Sequence, residues 1–402
     1  MDFAGERYYK MSRILLSSLG LWPDDISTFK KVQIIFYQTL YISFLICQCI
    51  PLFIKQYSIV CIIKMLSYIV LTCLFILVYN TCLLLNDNIK YIFDRVRYDW
   101  NMLKAHADLE ILQKYANEAN FQTIFIFLSS NIYSLVIVII SYSPRVLDIF
   151  TPLNESRSLQ ILYTVEYFVD EETYFFAILM HMVLVAYAGG MAATAIATVL
   201  LIYISHTCAL FKIASYQMEH VCTSDKNVQL IPKDIKQSMF YNNLIYAVYV
   251  HRRAMDSANN ITNSFSMFLN VLLVCSVVMM SLSFCNVINA VTSWEKLDVV
   301  TNGVMIFGLM YCSFLGNYVG QNIIDSSTAI SQATYNAQWY TAPICMQKLI
   351  ILIIQRSNKQ SVLTIGALFD VSLEGFATLL SMSISYVMVL QSMGTLTESE
   401  KK

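Results

Sequence analysis

The amino-acid sequence predicts an all-α, polytopic membrane protein with seven transmembrane helices, a cytoplasmic N-terminus and an extracellular C-terminus. Of its 402 residues, 57% are hydrophobic and only 13% are charged, whereas soluble domains average about 25% charged residues. The mean hydropathy is +0.57. The charges come in clusters separated by long uncharged stretches, so the chain is suited to a bilayer rather than to water.

The seven spans are predicted from stretches that contain no Asp, Glu, Lys or Arg. A helix needs about 20 largely apolar residues to cross roughly 30 Å of hydrocarbon. The fourth and fifth stretches exceed this length, so those helices are expected to continue into water at one end. In chain order, the predicted spans are residues 32–54, 65–86, 121–144, 173–209, 257–294, 299–322 and 375–397.

The orientation follows from the basic residues in the loops, because Lys and Arg are retained on the cytoplasmic side. The N-terminal segment and every second loop hold nineteen of them, and the other side holds seven. The sequon that begins at Asn154 falls on the side predicted to be outside and is a candidate glycosylation site. Residues 1–31 contain no separate apolar run with a cleavage site, so the first span is expected to target the chain itself.

These assignments divide the chain into five predicted regions. Residues 1–31 form a cytoplasmic N-terminus, and residues 32–322 hold the first six spans. Residues 323–370 form a cytoplasmic segment, residues 371–397 the seventh helix, and residues 398–402 a short extracellular tail. Within the six-span region, the main connections are an outer loop at residues 145–172 and cytoplasmic loops at residues 87–120 and 205–262.

Several protein classes are disfavoured. A G-protein-coupled receptor has seven helices but an extracellular N-terminus, which is opposite to the predicted topology. The sequence has no phosphate-binding glycine loop, no HExxH motif and no CxxC pair, and its five histidines are not at metal-ligand spacing. We therefore predict no enzyme, no metal, no cofactor and no nucleic-acid partner.

Two features inside the fourth span allow both a structural and a functional interpretation. His181 could contact a ligand or carry a proton, or it could be a neutral side chain bonded to a neighbouring helix. Gly189 and Gly190 could be an unwound binding segment or a site of close helix packing. The same alternatives apply to Gly316 and Gly320 in the sixth span.

A stripe of hydroxyl groups runs along the last span. Thr378, Ser381, Ser385 and Ser392 fall within one arc of a helical wheel. Val389 lies in the same arc and Met393 borders it. If several such helices surrounded an axis, the hydroxyls would line a water-filled path and Val389 would form an apolar constriction. The alternative is that the serines bond backbone carbonyls of their own helix or pack against a neighbour.

The C-terminal region resembles the signature of insect odorant receptors, and seven spans with a cytoplasmic N-terminus and a length near 400 fit that family over the whole chain. The residues that carry the resemblance are Ala333, Thr334, Tyr335, Trp339, Tyr340, Gln347, Lys348, Ile354, Arg356, Ser357, Thr364, Gly366, Ser372, Leu373, Glu374, Phe376, Ser385 and Tyr386.

The resemblance implies an odorant-gated, non-selective cation channel in the plasma membrane of olfactory sensory neuron dendrites. This chain would be the tuning subunit of a heterotetramer with an olfactory co-receptor, and its ligand would be a small volatile odorant. Ligand binding would favour the open state by differential affinity. Membrane lipid and permeating cations would be its other partners.

The resemblance also implies roles for individual residues. The gate of the family matches Val389, with a second constriction near Met393 and a pore lined by Ser381, Ser385 and Ser392. Assembly contacts would involve Tyr335, Trp339 and Arg356 in the cytoplasmic anchor. Odorants bind in the outer halves of helices two, three, four and six, where the candidates are Tyr68, Thr72, Tyr133, Ser134, Phe176, Met180, Phe307 and Tyr311.

Two alternatives remain. A gustatory receptor of the same superfamily would form a homomeric cation channel without the co-receptor, and a G-protein-coupled receptor would respond slowly and depend on G proteins. The co-receptor itself has a long insertion in the second cytoplasmic loop, and residues 205–262 are too short to contain it.

Overall fold

The computed structural model describes residues 5–54, 56–150, 161–221, 233–294, 296–366 and 369–399. Within these ranges, the structure describes only the backbone of residues 133, 147, 233–236 and 393–399. The described helices and strands, in chain order, are α1 (Glu6–Ser18), α2 (Thr28–Ile54), α3 (Ile59–Leu84), α4 (Asn86–Met102), α5 (His106–Phe150), α6 (Phe175–His220), α7 (Lys233–Thr292), α8 (Lys296–Asn336), α9 (Ile344–Ser357), β1 (Thr364–Ile365), β2 (Phe369–Asp370) and α10 (Leu373–Ser399).

The seven predicted spans are confirmed as helices. In the described part of the chain, seven helices are long and apolar enough to cross a membrane: α2, α3, α5, α6, α7, α8 and α10. The fold is therefore that of an all-α, multi-pass membrane protein. The orientation of its termini stays a prediction.

Four of these helices are far longer than a bilayer requires. Helices α5, α6, α7 and α8 have 45, 46, 60 and 41 residues, so the extension is not limited to the fourth and fifth spans. Most of residues 87–120 and the described part of 205–262, both predicted as loops, are helical. Residues 87–120, 205–221 and 233–262 contain no Pro or Gly, so in these ranges the backbone has no local reason to leave the helix where it leaves the apolar stretch.

Helix α6 is the centre of the bundle. In its most apolar window 72% of the residues are buried, against 17% to 44% in the other six spans. A Cβ atom at Gly189 would overlap the ring of Phe75 on α3, and one at Gly190 would lie 3.3 Å from the backbone oxygen of Ser130 on α5. This geometry favours close helix packing over an unwound segment.

The N-terminal region is part of the core and not a free tail. Helix α1 buries Leu15 and Leu16, and Leu21 behind it is also fully buried. The hydroxyl of Tyr79 on α3 donates to the carbonyl of Leu19 at 3.0 Å. Gly20 has φ +69°, which favours glycine at this turn. The segment therefore closes the end of the bundle that carries α4.

A buried charge cluster joins α4, α6 and α7 at this end. The Asp99 carboxylate accepts a hydrogen bond from the Arg253 guanidinium and lies 2.9 Å from Nε2 of His206. All three residues are buried, with relative exposures of 2%, 8% and 3%. Pairing of this kind is what makes a buried carboxylate tolerable, because an isolated buried charge is very costly.

The C-terminal region begins with a small helical unit. A turn at Trp339–Thr341 and helix α9 pack on α7 through Met346 and Ile350. Strands β1 and β2 then pair antiparallel, with Thr364 opposite Asp370. This hairpin leads directly into α10.

Candidate functional site

The predicted ligand residues on α3 lie in a buried aromatic cluster. Tyr68 and Thr72 are each 2% exposed. The Tyr68 ring packs edge-on against Tyr163, with 4.4 Å between centroids, and Tyr163 packs against Phe44 at 5.8 Å. This cluster of Phe44, Tyr68 and Tyr163, which we call the aromatic cluster, combines α2, α3 and the segment that precedes α6.

His181 lies beside the aromatic cluster and is hydrogen-bonded on both ring nitrogens. Its Nδ1 is 2.8 Å from the hydroxyl of Tyr167, and its Nε2 is 3.2 Å from the hydroxyl of Ser43. The Phe44 ring meets the imidazole edge-on at 5.3 Å. Burial raises the pKa of the Tyr167 phenol, so this hydroxyl stays protonated at neutral pH. The geometry favours the interpretation of His181 as a bonded structural side chain.

The segment that precedes α6 was not predicted to take part. Leu162, Tyr163 and Val165 are all less than 9% exposed, so they are inserted into the bundle. The backbone N–H of Glu166 donates to the carbonyl of Cys47 on α2 at 3.0 Å. The signal in the sequence was the largely apolar run at residues 161–165, which follows a polar stretch at residues 154–158.

Gln48, also absent from the prediction, is a buried polar group on the same face of α2 as Phe44. It is 2% exposed, and neither amide atom has a hydrogen-bond partner among the described residues. An unpaired buried amide costs about 1–3 kcal/mol. Gln48 can therefore supply both a donor and an acceptor to a polar group that enters this region.

The other predicted ligand residues are not gathered into one pocket. Ser134 is buried, and its hydroxyl has no partner among the described residues. Tyr311 is half-buried and packs edge-on against Phe125 at 5.8 Å. Phe176, Met180 and Phe307 point away from the bundle, with exposures of 61%, 58% and 73%. The side chain of Tyr133 lies outside the described residues, so its role and those of the exposed residues stay predictions.

Helix α10 exposes its hydroxyl stripe. Thr378, Ser381, Ser385 and Ser392 are exposed, and Val389 in the same arc is 53% exposed. The opposite face buries Leu379, Ser383 and Val387. Three hydroxyls donate to carbonyls of their own helix: Thr378 to Glu374, Ser385 to Ser381 and Ser392 to Val389. The stripe is therefore exposed, and three of its hydroxyls bond to the backbone of their own helix. The side chain of Met393 lies outside the described residues.

The start of α10 is held by side chains of α8. The Oδ1 atom of Asn317 accepts from the backbone N–H of Ser372 at 3.2 Å, and the Ser372 hydroxyl accepts from the N–H of Gly375 at 3.1 Å. A Cβ atom at Gly320 would overlap Val371, whereas one at Gly316 would meet nothing within 4 Å. Gly320 therefore permits the close approach of α8 to the start of α10, and Gly316 has no such role within this chain.

The predicted assembly residues lie at the opposite end of the bundle from the aromatic cluster. Tyr335 is 68% exposed and Arg356 is exposed, whereas Trp339 is half-buried against the small cluster of α7 and α9. Asn154, the predicted glycosylation site, lies outside the described residues. Within the described part of the chain, no group of three or more His, Cys, Asp or Glu side chains could hold a metal ion.

Similarity to known proteins agrees with this architecture. The family described as "7tm Odorant receptor" matches residues 82–384. Odorant receptor 67c of Drosophila melanogaster is 23% identical over 52% of this chain and 48% of its own length. Odorant receptor 85b of the same species is 32% identical over 19% of this chain. The chain thus spans about half the length of the first relative and 20% of the second.

The same fold occurs in a solved receptor structure. The insect olfactory receptor OR5 from Machilis hrabei, in complex with eugenol, superposes with a TM-score of 0.70 at 14% identity, covering 97% of both chains. A second structure of the same receptor superposes with the same TM-score over 96% of both chains. At this identity the likeness concerns the fold alone.

The fold defines a multi-pass helical membrane protein. Because the family match covers most of the chain, the chain belongs to the insect odorant receptor family, whose members serve olfaction by binding small volatile odorants. This family and fold are not those of enzymes.

Proposed function

We propose that this chain is the tuning subunit of an odorant-gated, non-selective cation channel. It would work in the plasma membrane of olfactory neuron dendrites as a heterotetramer with co-receptor subunits. The observation that carries the proposal is the open face of α10, where exposed hydroxyls continue into an exposed Val389. A helix in a lipid-facing position has no need of such a stripe, whereas one that lines a water-filled path does.

The aromatic cluster is the proposed odorant site. Its rings supply dispersion and burial for a small volatile, and Gln48 supplies the hydrogen bond that fixes orientation. The eugenol complex of a receptor with the same fold supports an aromatic, hydroxyl-bearing odorant as the first class to test. The odorant would favour the open channel by its higher affinity for that state.

The channel proposal is tested by recording membrane currents from cells that express this chain with and without an insect olfactory co-receptor, under G-protein blockade. We expect fast cation currents in response to an odorant panel only when both subunits are present. Currents from the chain alone would instead indicate a homomeric channel of the gustatory type. Responses that disappear under G-protein blockade would contradict the channel proposal altogether.

The site proposal is tested by the substitution Tyr68→Leu. In the proposed site the Tyr68 ring packs against an aromatic odorant, and loss of such a ring contact removes about 0.5–1.5 kcal/mol, so the half-maximal odorant concentration should rise roughly 2- to 12-fold. The matched control is Tyr91→Leu, a change at a 48% exposed tyrosine on α4. This variant should leave the half-maximal odorant concentration unchanged. Equal shifts in both variants would contradict a site at the aromatic cluster.

A further inference from the structure

A concave groove lies on the outside of the bundle, between α5 and α8. The groove has a volume of about 450 Å³ and is lined by Asn117, Glu118, Phe121 and Gln122 of α5 and by Tyr318 of α8. This volume lies within the range of about 300–1,000 Å³ that is usual for small-molecule sites. None of its residues belongs to the aromatic cluster or to the stripe on α10.

The polar groups of the groove suit a zwitterionic group that carries both an ammonium and a phosphate. Glu118 is exposed, and no basic side chain of the described residues lies within 4.0 Å of its carboxylate. Two aromatic side chains, Phe121 and Tyr318, line the groove together with Glu118, and aromatic faces attract ammonium groups. The amides of Asn117 and Gln122 can donate to a phosphate oxygen. The groove therefore offers an acceptor for an ammonium beside donors for a phosphate.

The groove also lies at the end of the apolar part of α5, which is the level at which a lipid headgroup would be found. Glu118 is one helical turn before Phe121, where the charge-free stretch of α5 begins. Beyond it, Ile124, Phe125 and Leu128 form an exposed apolar strip, with exposures of 42%, 52% and 59%. The strip continues onto α8 through Phe314, which stacks on Tyr318 at 6.1 Å. A headgroup in the groove would thus place its acyl chains along apolar surface.

We propose that this groove binds a phospholipid with an ammonium headgroup, of the phosphatidylethanolamine type. The ammonium lies between Glu118 and the rings of Phe121 and Tyr318, and the phosphate faces the two amides. Tyr318 stacks on Phe314, which meets Phe376 in the first turn of α10 at 5.5 Å. The bound lipid is therefore two rings away from the stripe-bearing helix.

The test is lipid binding to the purified full chain, measured by native mass spectrometry in detergent and without odorant. Phosphatidylethanolamine is titrated against phosphatidylglycerol, which has the phosphate but no ammonium. Glu118→Gln should lower phosphatidylethanolamine affinity by up to about fivefold, as expected for the loss of an exposed ion pair, and should not lower phosphatidylglycerol affinity. Tyr318→Leu keeps an apolar side chain but removes the ring, and should lower phosphatidylethanolamine occupancy by a similar factor.

The matched control is Glu110→Gln, an exposed acid two turns earlier on α5 whose carboxylate is 3.4 Å from His106. This variant should bind both lipids as the unmodified chain does. Equal occupancy by the two lipids in the unmodified chain would overturn the proposal, as would unchanged phosphatidylethanolamine binding in both groove variants. Because the measurement needs neither odorant nor current, its failure would be distinct from failure of the channel proposal.

Discussion

Val389 is the residue on which the proposed pore depends most directly. Its side chain is apolar, 53% exposed and aligned with the hydroxyl stripe of α10. In a narrow path an apolar ring excludes water and stops ions without any charge. The proposal that Val389 is a gate is supported by the family resemblance and by this placement.

The substitution Val389→Ala should raise the current in the absence of odorant, because a smaller apolar side chain widens the constriction. This current is measured by whole-cell recording, without odorant, in cells that also express the co-receptor. Ile384→Ala, a change at a 55% exposed residue outside the stripe on the same helix, is the control. A leak that increases equally in both variants would contradict the placement of the gate at Val389.

Gly189 is a position at which α6 packs tightly against α3. The Phe75 ring occupies the place that a Cβ atom would take. Gly189→Ala should therefore destabilise the protein by about 1–3 kcal/mol through overpacking, and thermal unfolding of the detergent-purified chain would show a lower Tm. Gly308→Ala is the matched control, since nothing lies within 4 Å of a Cβ atom at that position. An unchanged Tm for Gly189→Ala would mean that Phe75 can move aside at little cost.

At the scale of whole elements, the bundle is held together at one end by the buried pairing of Asp99 with His206 and Arg253. These residues lie 107 and 154 positions apart from Asp99 in the sequence, and they lock α4, α6 and α7 together. The Arg253 guanidinium also lies over the ring of Tyr98 at 4.6 Å. Charge pairing here joins three helices that the hydrophobic core also packs together.

Asp99→Asn keeps the shape of this side chain but leaves the Arg253 charge uncompensated. Breaking a buried ion pair in this way costs about 3–5 kcal/mol, so we expect a strong loss of folded protein by size-exclusion chromatography and a lower Tm. Asp94→Asn, at an exposed acid on the same helix, should have little effect. A variant Asp99→Asn that is as stable as the unmodified chain would mean that the cluster contributes no net stability.

At the scale of the whole molecule, the topology decides which end faces the cell interior. The excess of basic residues on one side predicts a cytoplasmic N-terminus. Antibody staining of tagged chains should therefore detect a C-terminal tag on intact cells and an N-terminal tag only after permeabilisation. Staining of the N-terminal tag on intact cells would contradict both the orientation and the proposed placement of the pore ends.

The spans themselves were readable from the sequence because the requirement is local. A helix in hydrocarbon must satisfy its own backbone hydrogen bonds and present about 20 apolar residues, and each of the seven stretches does this without help from the rest of the chain. The stripe on α10 was equally readable, since residues on one helix face are related by the helical period alone. Val389 was placed on that face before any contact was known.

The site was only partly readable, because it depends on contacts between distant residues. Tyr68 was predicted as a ligand residue and lies in a buried aromatic cluster, but its partner Tyr163 comes from a loop that the sequence presented as a simple connection. The exposed positions of Phe176, Met180 and Phe307 could not be foreseen either. Their chemistry suited a pocket, yet the rotation of each helix about its axis is set by its neighbours.

The sequence by itself determined that this chain is a seven-span helical membrane protein, and it carried the motif of its family. Only the tertiary structure decided that α1 belongs to the core, that Tyr163 enters the bundle, and that Asp99, His206 and Arg253 meet. The physical reason is that membrane insertion is decided stretch by stretch, by transfer of each segment from water to lipid. Packing between helices depends instead on the shapes and charges of residues brought together by the whole fold.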